Sequence, residues 1–350
     1  MDAISDPTFF HSKLKHQVSE ETPSLLTVIL DTNPSVWGFE NEESNLLEAL
    51  KSVIVFLNAH LAFNSANQVA VIAAYSNGVK YLFPRDKTKV SETSNGKDIK
   101  TKLNIIDSKM YTQFRKVDEA VLEELYNLFE MEQKLYTDMK NNDNKDSNTK
   151  FVKSSLAGAL SSSLTYVNRI LKENLNLKSR ILIVSSGSKN ERQSEVFQYI
   201  PIMNCIFTAS KLKCPIDVVK IGGNPQATFL QQATDATNGV YLHVESTKGL
   251  IQYLSTAMFI DPTLRRIIVK PNQGIVDFRT SCFLTGKVVA IGFVCSVCLC
   301  VLSVIPSGNR CPACDCEFDE KIIKKMKRKP IGKNGNGGVS TNRINKQAKK

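Results

Sequence analysis

Histidine is scarce in this sequence, with four among 350 residues. His11 and His16 lie in a polar arm, and His60 in a helix and His243 in a strand read as satisfied structural groups. A nucleophile elbow is also missing, because Val184-Ser185-Ser186-Gly187-Ser188 lacks the leading glycine. Ile221-Gly222-Gly223-Asn224 has no Gly-Lys-Ser/Thr ending and is not a P-loop. These absences leave no catalytic constellation, so no enzymatic activity and no catalytic residue is expected. Acidic residues are absent from 321–350, which hold 11 of the 45 Lys and Arg, leaving 34 basic against 34 acidic residues in 1–320. The excess of +11 is therefore a property of the tail. A neutral body argues against a nucleic-acid-binding surface on it. Met1-Asp2-Ala3-Ile4-Ser5-Asp6-Pro7 is acidic and lacks the apolar region of a secretory signal. With that, an odd count of nine cysteines, seven of them from Cys282 onward, points to thiols and metal rather than disulfides.

What is present begins with Ser24-Leu25-Leu26-Thr27-Val28-Ile29-Leu30-Asp31, a short apolar run ending in an acid and flanked by Pro23 and Pro34. Such a run predicts a strand buried on both faces, as in a parallel sheet covered by helices. Ligands gather outside the carboxyl ends of strands in such sheets, which places Asp31 where a site would be. Leu46, Leu47, Leu50, Ile54, Leu57 and Leu61 predict an amphipathic helix over 44–62. Residues 69–75 predict a second strand, and Asn77-Gly78 a hairpin into a return strand at 79–83. Helices follow from Val117 to about Met139 and from near Ser154. Further strands are predicted at 180–184, 216–221 and 240–244. Pro201 is expected to open one helix, Gly239 to stop another in the left-handed conformation, and Ser246 to cap a last helix reaching about Phe259. Residues 140–150 predict a mobile loop and 321–350 a disordered basic tail. No internal repeat is apparent. Alternating strand and helix through 24–260 predicts a doubly wound, mostly parallel α/β sheet.

Cys295-Ser296-Val297-Cys298 and Cys311-Pro312-Ala313-Cys314 are two Cys-x-x-Cys knuckles. Zinc wants four soft ligands in a tetrahedron, and each knuckle points two thiolates at one ion. Cys295, Cys298, Cys311 and Cys314 are therefore the expected ligands of one structural Zn2+ in a β-rich module. Cys300 and Cys316 are spare; either is an alternative ligand, but two clean pairs are already present. A rival reading makes the uncharged run Val288 to Ile305, followed by a basic tail, a membrane anchor.

The strand and helix alternation resembles the von Willebrand factor A domain. That family often carries a metal site with Asp-x-Ser-x-Ser after the first strand, a Thr opening a later helix and an Asp after a following strand. Here the corresponding positions are Asp31, Asn33 and Ser35, then Ser154, then Ser186. Only one of the two carboxylates remains, which argues against Mg2+. Residues 24–34, 58–64, 199–207, 214–217 and 295–298 further resemble the small von Willebrand A-type subunits of general transcription and DNA repair factor IIH, in their fungal form. The resemblance covers about residues 1–320. It implies a non-enzymatic nuclear scaffold acting in RNA polymerase II initiation and nucleotide excision repair. It also implies partnership with other core subunits, chiefly the larger von Willebrand A-type subunit through its C-terminal zinc domain. No membrane is implied, and DNA contact only weakly through the tail.

The expected organisation is a polar arm at 1–22, an A-like domain at 23–262, a β-rich linker and four-Cys zinc module at 263–320, and the basic tail. Two rival functions are a zinc-dependent ubiquitin ligase and a metal-dependent A-domain binding module. RING-type modules usually bind two zinc ions through eight ligands, whereas six Cys and no His lie between 295 and 316. One ion is the better count.

Overall fold

The buried apolar runs assemble into one six-stranded sheet. The computed structural model describes residues 22–37, 45–76, 78–85, 111–141, 155–187, 191–223, 227–261, scattered positions from 265 to 289, 291–306 and 308–319. The strands are β1 (Ser24–Asp31), β2 (Gln68–Tyr75), β3 (Gly78–Phe83), β4 (Lys178–Ser186), β5 (Ile216–Ile221) and β6 (Tyr241–Val244). They lie in the order β3-β2-β1-β4-β5-β6, parallel except for β3, which returns antiparallel along β2. β1 is central and pairs with β2 on one side and β4 on the other.

Helices cover both faces, as continuous apolar strands require. They are α1 (Pro34–Trp37), α2 (Leu46–Phe63), α3 (Thr112–Asn141), α4 (Leu156–Glu173), α5 (Glu191–Lys211), α6 (Thr228–Ala236) and α7 (Leu250–Tyr253), which runs on as a π-helical turn, Leu254–Met258. Leu26, Val28 and Leu30 of β1 face α2, α3 and α7, while Leu25 and Ile29 face α4, α5 and α6. Each such side chain contributes about 1.5–3 kcal/mol by leaving water. Asn45 starts α2 by accepting the Leu47 N–H at 2.9 Å, a side-chain cap that fixes where the helix begins.

Three local expectations fail. Pro201 lies inside α5 and not at its start. One backbone rung is lost there, but Ile202, Cys205, Ile206 and Ala209 beyond it are buried against the sheet and hold the helix on. The left-handed stop after α6 is Asn238, with φ of 58°, and Gly239 serves another purpose. A Cβ on Gly239 would overlap the carbonyl oxygen of Ile216, so the loop can cross the start of β5 only without a side chain. Ser246 does not cap α7; Gly249 stands there, at φ of 75° and without a side-chain cap.

The C-terminal region forms two small antiparallel pairs, β7 (Thr280–Ser281) with β8 (Val288–Val289), and β9 (Phe293–Val294) with β10 (Val301–Leu302). The uncharged run from Val288 to Ile305 is thus short strands and turns rather than a spanning helix, which removes the basis for an anchor there. Among the described residues α2 alone is long and apolar enough to cross a membrane, and its inner face is core. The β-rich region rests on α5, where Ile200 packs against the cluster of Cys295, Cys300, Leu302 and Cys311. Beside it the Tyr199 side chain hydrogen-bonds Thr280. A second tie is Arg265, whose guanidinium reaches under the sheet and meets Asp217 at 2.7 and 2.6 Å. Of the loop expected at 140–150, Lys140 and Asn141 continue α3; the rest of it, residues 1–21 of the arm and the tail lie outside the described residues.

Candidate metal centre and the carboxyl end of the sheet

Cys295, Cys298, Cys311 and Cys314 come together, with all four sulfurs within 4.8 Å of one another. Cys295 and Cys314 sulfurs are 3.7 Å apart, and those of Cys298 and Cys311 3.6 Å. For a tetrahedral thiolate site with metal–sulfur bonds of about 2.3 Å, sulfurs sit about 3.8 Å apart. The donor set therefore fits a single metal ion held by four thiolates. The thiolate is the ligating form; the surroundings favour it at Cys311 and oppose it at Cys314, where the Cys316 N–H lowers the thiol but burial and the thiols of Cys298, Cys311 and Cys295 raise it to about 12. Burial pushes the Cys311 thiol up, but the N–H groups of Ala313 and Cys314 and the neighbouring thiols pull it down to about 6.

The two knuckles repeat one backbone design. Leu299 N–H donates to Cys295 O at 2.9 Å, and Cys295 N–H to Cys300 O at 3.0 Å. In the second, Asp315 N–H donates to Cys311 O and Cys311 N–H to Cys316 O, both at 2.9 Å. Leu299 and Asp315 both take positive φ, 61° and 60°. The repeat is Cys-x-x-Cys-x-Cys, at 295–300 and 311–316, which overturns the reading that the sequence holds no internal repeat. Cys300 and Cys316 are thus equivalent positions whose carbonyls close their knuckles. Their thiols differ: Cys300 is buried, 3.2 Å from the Cys311 sulfur, whereas Cys316 is more open. Neither joins a second set of metal-binding groups among the described residues. Cys282, outside the four, is fully buried and accepts the N–H and hydroxyl of Ser303, each at 3.1 Å. Burial raises that thiol, and hydrogen bonds from Ser303 and Thr285 outweigh it, bringing it to about 6.

At the carboxyl end of the sheet Asp31 is buried and wrapped by the segment that follows it. Its Oδ1 accepts the Asn33 N–H at 3.2 Å, its Oδ2 the Ser185 hydroxyl at 3.5 Å, and its carbonyl the indole N–H of Trp37 at 2.8 Å. Thr32 turns away, its N–H and hydroxyl both going to Ala74 O. Ser186 ends β4 in step with Leu182 and Val184, on the face opposite Asp31. Ser154 lies outside the described residues. One carboxylate already accepting protein donors does not match a Mg2+ site, which wants several hard oxygens in an octahedron. Beside it Gly187 and Gly223 press together; a Cβ on either would lie 2.6 Å from the other's Cα, and Gly223 is at φ of 62°.

Two buried arginines elsewhere meet protein acceptors. Arg265 and Asp217 form a bidentate pair with side chains 5% and 2% exposed, and Asp217 also accepts Val240 N–H at 2.9 Å. Arg180 donates to Met258 O at 2.6 Å and lies over the Phe56 ring. His60 sits by Ser24, and its carbonyl accepts the Asn67 amide at 2.9 Å. Burial, with Arg180 adding to it, lowers His60 to about 4, so it is a neutral structural residue as expected. His243 donates from Nε2 to Gly222 O at 3.1 Å, also a structural use. The Arg265 tie and the α5 seat for the C-terminal region were not foreseen. The signal for the first was there, in the acid and the lysine inside the otherwise apolar strand Ile216-Asp217-Val218-Val219-Lys220-Ile221.

The sequence matches known proteins along most of its length. The family model described as transcription factor Tfb4 matches residues 23–315. A Saccharomyces cerevisiae protein named general transcription and DNA repair factor IIH subunit TFB4 is 60% identical over 337 residues, 95% of this chain and 96% of that one. The protein of that name in Schizosaccharomyces pombe is 40% identical over 88% of this chain and 93% of its own. Among solved structures, the TFIIH p34 N-terminal domain is 30% identical, with a TM-score of 0.49, covering 67% of this chain and 97% of that one. A von Willebrand factor type A protein from Catenulispora acidiphila is 14% identical, with a TM-score of 0.40, over 66% of this chain and 41% of its own.

Proposed function

The chain belongs to the transcription factor Tfb4 family, and on that premise we propose that it is a non-catalytic scaffold subunit in the core of general transcription and DNA repair factor IIH. It would act in the nucleus, in RNA polymerase II initiation and nucleotide excision repair, by holding partner subunits. The observation that carries this is the 60% identity to a subunit of that name along 95% of the chain. The residues support a scaffold in a second way. The polar groups where an A-type domain would hold its ligand are turned to one another, as Asp31 is to Asn33 and Ser185.

The A-like domain, 23–262, presents a preformed face to the larger von Willebrand A-type subunit, received through that subunit's C-terminal zinc domain. The module over 263–320 is shaped by one zinc ion on Cys295, Cys298, Cys311 and Cys314. When bound, zinc would cross-link the two knuckles; it supplies no chemistry beyond that. The sulfur spacings and the repeated knuckles support this ligand set. Direct DNA contact is confined to a weak, salt-sensitive contribution of the basic tail.

Co-expression of the full chain with the larger A-type subunit tests the scaffold reading. A stoichiometric complex through gel filtration is expected, and two separately eluting proteins would overturn it. Metal analysis of the dialysed chain tests the module, with one zinc per chain expected. Two ions would return the ubiquitin-ligase reading, and none would remove the zinc site.

A further inference from the structure

Among the largest fully buried side chains of the described residues, all are apolar except Lys220. A buried ammonium is stabilised by acceptors and by a counter-charge close by. The register of the sheet says which acid shares its row. Asp31 follows Leu30, which pairs with Val184, so Asp31 stands level with Ser185; Ser185 pairs with Lys220, and Lys220 with His243. Strand alternation puts all four on the α4, α5 and α6 side, with Ile29, Ile183, Val218 and Tyr241. The carboxyl end of the sheet thus carries a polar row of acid, hydroxyl, lysine and imidazole.

The buried acids among the described residues are Asp31, Asp118 and Asp217. Asp217 is held by Arg265 at the opposite end of β5, and Asp118 by the Asn58 amide under α2. Asp31 is the one in the Lys220 row. Adjacent strands lie about 4.8 Å apart, so the two backbones are about 10 Å apart. A four-carbon lysine stem and a carboxylate arm close that gap from both sides. Ser185 stands between them and already donates to Asp31 at 3.5 Å. His243 is turned to Gly222 O and offers no acid.

We propose that the Lys220 ammonium is the resident cation of this end of the sheet, charge-paired with Asp31 where a divalent ion would otherwise be required. The missing second carboxylate then has a reason. A site with one positive charge built in needs one negative charge, and a second acid would leave it unbalanced. The face is fixed by a covalently attached cation, and its shape is independent of divalent metal concentration.

The test is thermal unfolding of the full chain as Lys220→Met, Asp31→Asn and the double variant, with and without millimolar Mg2+. Removing the lysine alone strands the carboxylate and lowers Tm by about 10 °C. Adding Asp31→Asn to it restores much of that loss, and Mg2+ leaves the wild-type Tm where it was. Two single-variant losses that simply add in the double would overturn the pairing. So would a Mg2+-induced rise in the wild type that Asp31→Asn abolishes. Where Lys220→Met does not fold, the 15N resonance of the Lys220 Nζ in the folded chain is read instead. It moves on Asp31→Asn if the two are paired, and its staying in place refutes the inference.

Discussion

Acidification should act on two buried groups in opposite directions. His60 is 4% exposed and lowered from 6.5 to about 4 by burial and by Arg180. Above pH 6.5 both folded and unfolded chains carry it neutral, and it is silent. As pH falls through 6.5 the unfolded chain takes a proton that the folded chain refuses until about 4. Stability is lost across that window, by about 3 kcal/mol at 1.36 kcal/mol per pKa unit. Asp118 is 0% exposed and raised from 3.8 to about 6 by burial, against the opposing hydrogen bonds from Asn58. It destabilises the fold at neutral pH. As pH falls below about 6 the folded chain binds the proton first, so stability is regained down to 3.8. That gain is also about 3 kcal/mol. The wild type hides both effects, because they nearly cancel. Urea unfolding at steps from pH 7 to 4 on His60→Gln and Asp118→Asn separates them. Relative to wild type, His60→Gln should gain about 3 kcal/mol on acidification, and Asp118→Asn should lose a similar advantage. Any acid-dependent contribution common to the three chains drops out of the differences. Two difference curves flat to within about 1 kcal/mol would refute the reasoning.

Arg265→Ala leaves Asp217 buried without its bidentate partner and should lower stability by about 3–5 kcal/mol in urea unfolding. Glu317→Ala, at the solvent-exposed pair with Arg310, should leave the urea midpoint where it is in the wild type. Cys295→Ser or Cys311→Ser should abolish metal binding and unfold the C-terminal module, while circular dichroism still reports the helices and sheet of 24–260; loss of the whole signal would show that the two fold as one. Ile200→Asp should undock the module with its metal content intact, read as faster proteolysis between Arg265 and Thr280. Gly239→Ala should be among the most damaging single-methyl changes, seen as loss of soluble protein, whereas Asn238→Gly should be close to neutral because the left-handed position accepts either residue.

The layered α/β sheet was legible because its strands are apolar runs with one partner set on each side. β5 falls on the residues expected, and β1 does too. Element ends were less legible, because they depend on tertiary contacts. Pro201 looks like a helix start in isolation, yet buried side chains beyond it extend α5 through the proline. Gly239 looks like a stop, yet its reason is the Ile216 carbonyl, distant in sequence. That Cys295, Cys298, Cys311 and Cys314 would come together was readable from spacing alone, since a Cys-x-x-Cys turn is local chemistry. The equivalence of Cys300 and Cys316 was also in the spacing and needed only a six-residue window. The Asp217–Arg265 pair was not, because 48 residues separate its partners.

The anchoring of Arg265 bears on how the C-terminal module stays in place. The chain is pinned at Arg265 by the Asp217 pair and again at Thr280 by Tyr199. The two points lie 15 residues apart in sequence, so the chain that joins them is a short leash. A short leash keeps a detached module at an effective concentration in the millimolar range next to its seat. The contact at Ile200 can therefore be weak and still be filled nearly all the time. If Arg265 let go, the same contact would face a longer leash and a lower local concentration. A residue at one end of the sheet thus sets the occupancy of a seat on α5, with no signal passing through the core.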